Sequence, residues 1–85
     1  MQELDLHGYY HDDAWVAIED FILTANLPGR VITGNSPKMR NMLRDVVGSY
    51  GMELFQDNPS NFGSFVVLEI VLFIMYRIKR KRLLS

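Results

Sequence analysis

The chain contains no cysteine, two histidines, one tryptophan and three prolines in 85 residues. Without cysteine there is neither a disulfide framework nor a Cys-ligated zinc site. His7 and His11 alone do not supply an all-histidine metal cage. This cysteine usage suits a reducing compartment, and the expected location is the cytoplasm. No secretory leader is expected, because Met1-Gln2-Glu3-Leu4-Asp5 carries acid and no apolar run comes after it. There is no internal repeat, no low-complexity stretch and no run of the ~20 apolar residues that a membrane-spanning helix needs. The length also excludes a multidomain enzyme or a doubly wound dinucleotide fold, and leaves room for one small domain. With 48% apolar and 22% charged residues the chain has a globular composition, not that of a disordered tail. A domain of this size buries little more than ~60% of its unfolded surface, so its core is thin.

The formal net charge of -1 conceals a division. Arg77-Ile78-Lys79-Arg80-Lys81-Arg82 holds five of the nine basic residues and no acid. Residues 1–76 hold the other four basic residues and all ten acids. An acidic body with a basic tail points to a separate partner for the tail, either nucleic acid or an anionic membrane face.

Patterning gives the elements. Residues 3–7, Glu-Leu-Asp-Leu-His, alternate polar and apolar and predict a short strand ended by Gly8. Asp12 and Asp13 stand where a helix N-cap and first turn favour acids. Ala14, Ile18, Phe21, Ile22 and Ala25 then form one stripe of an amphipathic helix over 12–26. Leu27-Pro28-Gly29 is a breaker, and residues 30–33 are a β-branched strand. Ser36 is an N-cap candidate with Pro37 at N1. Met39, Met42, Leu43, Val46, Val47 and Tyr50 share a helical face, and Gly51 supplies the stop. Residues 53–56 are a third strand, 57–63 a loop, and 64 to about 72 a long apolar strand. The expected fold is a two-layer α/β sandwich of order β-α-β-α-β-β, with two helices on a small mixed sheet and the first two strands parallel. The domain is placed at 1–70 and the apolar and basic tail at 71–85.

Candidate chemistry gathers where two parallel strands end, because ligands prefer the carboxyl edge of such a sheet. That edge collects Asp5, His7 and Gly8 from one strand end and Thr33, Gly34, Asn35 and Ser36 from the other. Asp5 and His7 are two residues apart and share a face. A carboxylate beside an imidazole makes an acid or base near neutral pH. The second turn offers amides at a helix start as a phosphate seat. Lys38, Arg40 and Arg44 extend a positive surface from it. The combination fits phosphodiester cleavage. The structural alternative is a surface hydrogen bond in Asp-x-His and a well-capped helix start in Gly-Asn-Ser-Pro. Tyr9 and Tyr10 suit either base stacking or packing at the core edge. His11 reads as a solvated neighbour of the helix cap, and Trp15 and Tyr50 belong to the core or its rim.

Leu4-Asp5-Leu6-His7-Gly8 resembles the LDLHG signature of the Smr (small MutS-related) domain family. Asp13-Ala14 and the helix after it resemble the family's next segment. Thr33-Gly34-Asn35-Ser36 stands where the family has HGxG, or TGxG in its plant members fused to pentatricopeptide repeats. Met39 to Val47 resembles the family's helix after that motif. Asn61-Phe62-Gly63-Ser64, with the strand behind it, resembles the family's closing Gly-rich turn and last strand. The likeness covers residues 3 to about 70. It implies a nucleic-acid-binding endonuclease cleaving RNA or nicking DNA, with the positions of Asp5 and His7 serving cleavage and the glycine turn touching nucleic acid. Ser36 departs from the motif's last glycine, and its Cβ narrows backbone approach to a phosphate. In the expected mechanism His7 accepts a proton from the nucleophile. Asp5 either orients His7 or helps hold a divalent metal such as magnesium, and the amides of Gly34 to Ser36 bind phosphate. No cofactor is otherwise implied. RNA is favoured over DNA, and a ribosome or larger complex is an open partner.

The run from Phe65 to Tyr76 is broken only by Glu69. Three readings compete for its end and for the basic cluster of Arg77 to Arg82. The strand extends and the tail grips phosphates, or a short helix lies on an anionic membrane, or the segment binds a partner, a second copy included. A non-catalytic nucleic-acid or protein interaction module is the alternative to an enzyme.

Overall fold

The computed structural model describes residues 1–69, and the tail readings fall outside these residues. Its elements are β1 (Glu3–Asp5), α1 (His11–Thr24), β2 (Gly29–Ile32), α2 (Pro37–Ser49), β3 (Glu53–Asn58) and β4 (Asn61–Leu68). The order is the expected β-α-β-α-β-β. The four strands form one mixed sheet in the order β1-β2-β4-β3. β1 and β2 are parallel, with Leu4 opposite Val31; β4 runs antiparallel to both β2 and β3.

The helices cover one face of this sheet. Ala14, Ile18 and Ile22 of α1 and Met39, Leu43, Val46 and Val47 of α2 are buried with Leu6, Val31, Phe65 and Val67. These are the stripes that the helical spacing predicts, with Phe21 and Met42 packed at the margin of the core, except at their ends: Ala25 and Tyr50 are the C-caps beyond the helices, and Tyr50 is exposed. Gly29 sits under α1 because a Cβ there would come within 2.8 Å of the Phe21 ring. Leu27-Pro28 is a cis peptide bond. The other sheet face carries Arg30, whose guanidinium meets Asp57 at 2.8 Å and Glu3 at 3.5 Å. Asp57 also accepts the Ser64 hydroxyl at 3.1 Å. The Arg30 pKa is raised, first by the Asp57 hydrogen bond.

Local chemistry sets the ends of the elements. Ser36 caps α2 as expected, its Oγ accepting the Met39 amide at 3.2 Å behind Pro37. The helix closes in a Schellman arrangement: Met52 N–H donates to Val47 C=O, Gly51 N–H donates to Gly48 C=O, and Gly51 has φ +68°. α1 begins earlier than its acids suggest. Its N-cap is Tyr10, which makes no side-chain cap bond, and Asp12 and Asp13 lie in the first turn, where they complement the helix dipole. The expected loop over 57–63 is instead a hairpin. Asn58 pairs with Asn61 across Pro59-Ser60, and Asn58 Oδ1 accepts the Ser60 amide at 2.9 Å. An irregularity between Gln56 and Asn58 sets the single residue Asp57 of β3 against Phe62, Gly63 and Ser64 of β4. The polar composition of this segment conceals its pairing, because the turn bonds are local while the partner strand lies downstream.

Candidate nucleic-acid site

The parallel register brings the ends of β1 and β2 together. Asp5 is opposite Ile32, and one step on Leu6 N–H donates to the Ile32 carbonyl at 2.9 Å. The two turns carrying His7 and Gly34 therefore leave neighbouring strand ends at one sheet edge. In the first turn Tyr9 N–H returns to the Leu6 carbonyl at 3.1 Å, and Gly8 has φ +84°. A positive φ at the third position is the requirement of a type II turn, which puts glycine there and His7 at its corner. Asp5 Oδ1 accepts the His7 backbone amide at 2.9 Å. The carboxylate thus holds the turn through the main chain and leaves the imidazole exposed.

The second turn is anchored from below. Gly63 C=O accepts the Thr33 amide at 2.8 Å and the Gly34 amide at 3.2 Å. Thr33 is 5% exposed, and its hydroxyl faces the carbonyls of Gly34 at 3.1 Å and Gly63 at 3.4 Å. Thr33 and Gly34 therefore fix the turn. Gly34, at φ +66°, reverses the chain. The amides of Asn35 and Ser36 make no hydrogen bond among the described residues, so the donors of this turn left for an anion come from these two.

Beyond Ser36, α2 carries Lys38, Arg40 and Arg44. Among the described residues these three cations have no acid within ion-pair distance, whereas Arg30, the fourth, is paired with Glu3 and Asp57. Arg40 Nη1 lies 3.5 Å from the carbonyl of Phe62. Arg40 and Arg44 line an open groove of about 260 Å³ between α2 and the β3–β4 hairpin, together with Pro37, Asn41, Gln56, Phe62 and Phe65.

The structure thus puts Asp5, His7, Gly8, Thr33, Gly34, Asn35 and Ser36 along one rim, and Arg40 and Arg44 in a groove leading from it. Spacing does not single out Phe62 and Gly63, because 57–63 has the composition of a loop; only the likeness of Asn61-Phe62-Gly63-Ser64 to a family's Gly-rich turn marks them. Tyr9, Tyr10, Trp15 and Tyr50 are all exposed, and the expected place of Trp15 and Tyr50 in the core or its rim is not found: neither is among the hydrophobics packed against the core. His11 is half-buried in the first turn of α1. Among the described residues no three His, Asp or Glu side chains come together as a metal site. No helix of the described residues is long and apolar enough to cross a membrane. Comparison of the chain with protein-family models, with curated proteins and with solved structures finds no match.

Proposed function

We propose that this chain is a small nucleic-acid-binding endonuclease that cuts RNA at the rim formed by the β1 and β2 ends. The observation that supports this reading is the juxtaposition of an exposed imidazole, His7, with the unbonded amides of Asn35 and Ser36 and the unpaired cations of α2. The Smr-like motifs in the sequence point the same way. Asn35 and Ser36 N–H groups hold the scissile phosphate. The His7 imidazole takes the proton of the ribose 2′-hydroxyl as its oxygen attacks phosphorus; the bond from phosphorus to the 5′-oxygen breaks, that oxygen takes a proton from water to leave as a 5′-hydroxyl, and a 2′,3′-cyclic phosphate remains. Asp5 is a positioning residue that fixes the His7 turn. DNA nicking would need water as the attacking group.

A second reading is a module that binds nucleic acid without cutting it. It is favoured by two bonds: Asp5 engages the His7 main chain instead of its imidazole, and the Gly34 amide is already committed to Gly63. Incubating the full chain with end-labelled RNA and DNA, with and without magnesium, separates the two. The nuclease reading expects RNA fragments with cyclic phosphate ends, and their loss in His7→Ala with binding and fold retained. Binding without cleavage selects the module. Undiminished cleavage in His7→Ala removes the imidazole from the mechanism.

A further inference from the structure

We infer that the groove between α2 and the β3–β4 hairpin is a track for single-stranded nucleic acid, in which Arg40 and Arg44 hold successive phosphates and Phe62 stacks on an unpaired base. The inference rests on the nucleic-acid reading above and adds to it a strand path, a preference for unpaired substrate and a binding residue outside the rim.

Three observations carry it. First, the charge is placed against the trend of the body. The described residues are strongly acidic, yet the three cations among them without an acid partner all sit on the first two turns of α2. Arg40 and Arg44 are one helical turn apart, and adjacent side chains at this spacing meet on one face. An unpaired arginine pair beside a concave surface is a seat for anions, and the guanidinium fork matches phosphate geometry. Second, the groove has an aromatic wall that the core does not use. Phe62 is 60% exposed at the start of β4, beside a carbonyl that faces Arg40. A large aromatic left in water next to cations suits base stacking, which works on any base because every base has a π face. Third, two further groove residues are neutral amides. Asn41 can bond to base edges or sugar without repelling phosphate, and so can the Oε1 of Gln56, whose Nε2 donates to the Asn58 carbonyl at 2.8 Å. Duplex would not present a free base face to Phe62, so the geometry favours an unpaired strand. The groove leads to the same sheet edge as His7, since Pro37, which lines it, follows the Ser36 cap, and Gly63, next to Phe62, is bonded to Thr33 and Gly34.

Fluorescence anisotropy with labelled oligo(U), oligo(dT) and a duplex of equal length tests it, using the full 85-residue chain and point variants. The tail is common to all variants, so its contribution cancels in the comparison. Phe62→Ala and Phe62→Leu should weaken binding of either single strand about fivefold or more, with Phe62→Trp restoring it. Arg44→Gln should lower the slope of log affinity against log salt by about 0.7, the value for one phosphate on a single strand. Tighter oligo(U) than oligo(dT) assigns RNA, and the reverse assigns DNA; either outcome supports the track. Duplex binding as tight as single strand, no change in Phe62→Leu, or no binding by the parent chain overturns it. His7→Ala separates this from the nuclease reading. Cleavage that depends on His7 with unchanged Phe62 variants removes the track alone. Phe62-dependent binding without any cleavage removes the nuclease alone.

Discussion

Gly63 and Gly34 meet backbone to backbone, so closely that a Cβ on Gly63 would lie 2.8 Å from the Gly34 carbonyl oxygen. The same Gly63 offers its own carbonyl to the Thr33 and Gly34 amides. The rim on which the proposed function depends is therefore set by a residue in β4, almost thirty positions from the turn it supports.

Gly63→Ala is expected to destabilise the domain by about 1–3 kcal/mol and to displace residues 33–36. Backbone, not a flexible side chain, stands in the way of the new methyl, so the Gly34 turn must move away from β4 to admit it. Gly48→Ala is the control. Nothing lies within 4 Å of the Cβ it would gain, and alanine in helical conformation should raise stability by about 0.5–1 kcal/mol. Denaturant unfolding of both variants reads the difference. Equal effects would show that the Gly63 contact does not constrain the turn.

Asp5 provides a second discrimination. Its Oδ1 accepts the His7 amide, and the side-chain oxygen of asparagine can accept the same bond. If Asp5 acts by holding the turn, Asp5→Asn keeps both stability and the rate of RNA cleavage near the parent values. Asp5→Ala is then expected to cost about 1 kcal/mol and to lower the rate along with it. Loss of cleavage in Asp5→Asn, with the fold and RNA affinity retained, would mean that the negative charge itself is needed. Comparing the two substitutions under single-turnover conditions decides between these roles.

The helices and core were legible because their signals are local. The stripe of Ala14, Ile18 and Ile22 and that of Met39, Leu43, Val46 and Val47 need only helical spacing, and Ser36 with Pro37 announces its own cap. The neighbouring placement of the His7 and Gly34 turns came from one inference, a parallel strand pair around α1, which the register of Leu4 against Val31 bears out. What stayed hidden depends on distant pairing. Asp57, Asn58 and Pro59 have the composition of a loop, yet β4 supplies the partner that turns them into a hairpin. The bond from Asp5 to the His7 main chain was hidden for a different reason. Two polar groups two residues apart can bond through backbone or side chain, and spacing alone does not choose.

Tyr50 closes the surface between the helices, its hydroxyl donating to Glu19 Oε2 at 2.6 Å. This hydrogen bond is the first cause that raises the phenol above its ordinary value of 10.0, with loss of hydration and the nearby carboxylate charge after it. A raised value in the folded state means that folding favours the protonated phenol. The stabilisation is therefore complete below pH ~10, the unfolded value, and disappears as pH rises through the folded one. Alkaline titration monitored by tyrosinate absorbance should show a late-ionising component that vanishes in Tyr50→Phe. The stability difference between parent and Tyr50→Phe should stay constant through neutral and mildly alkaline pH and shrink only above pH ~10. A late component that survives in Tyr50→Phe, or a stability difference that does not shrink above that pH, would show that the bond to Glu19 does not govern this phenol.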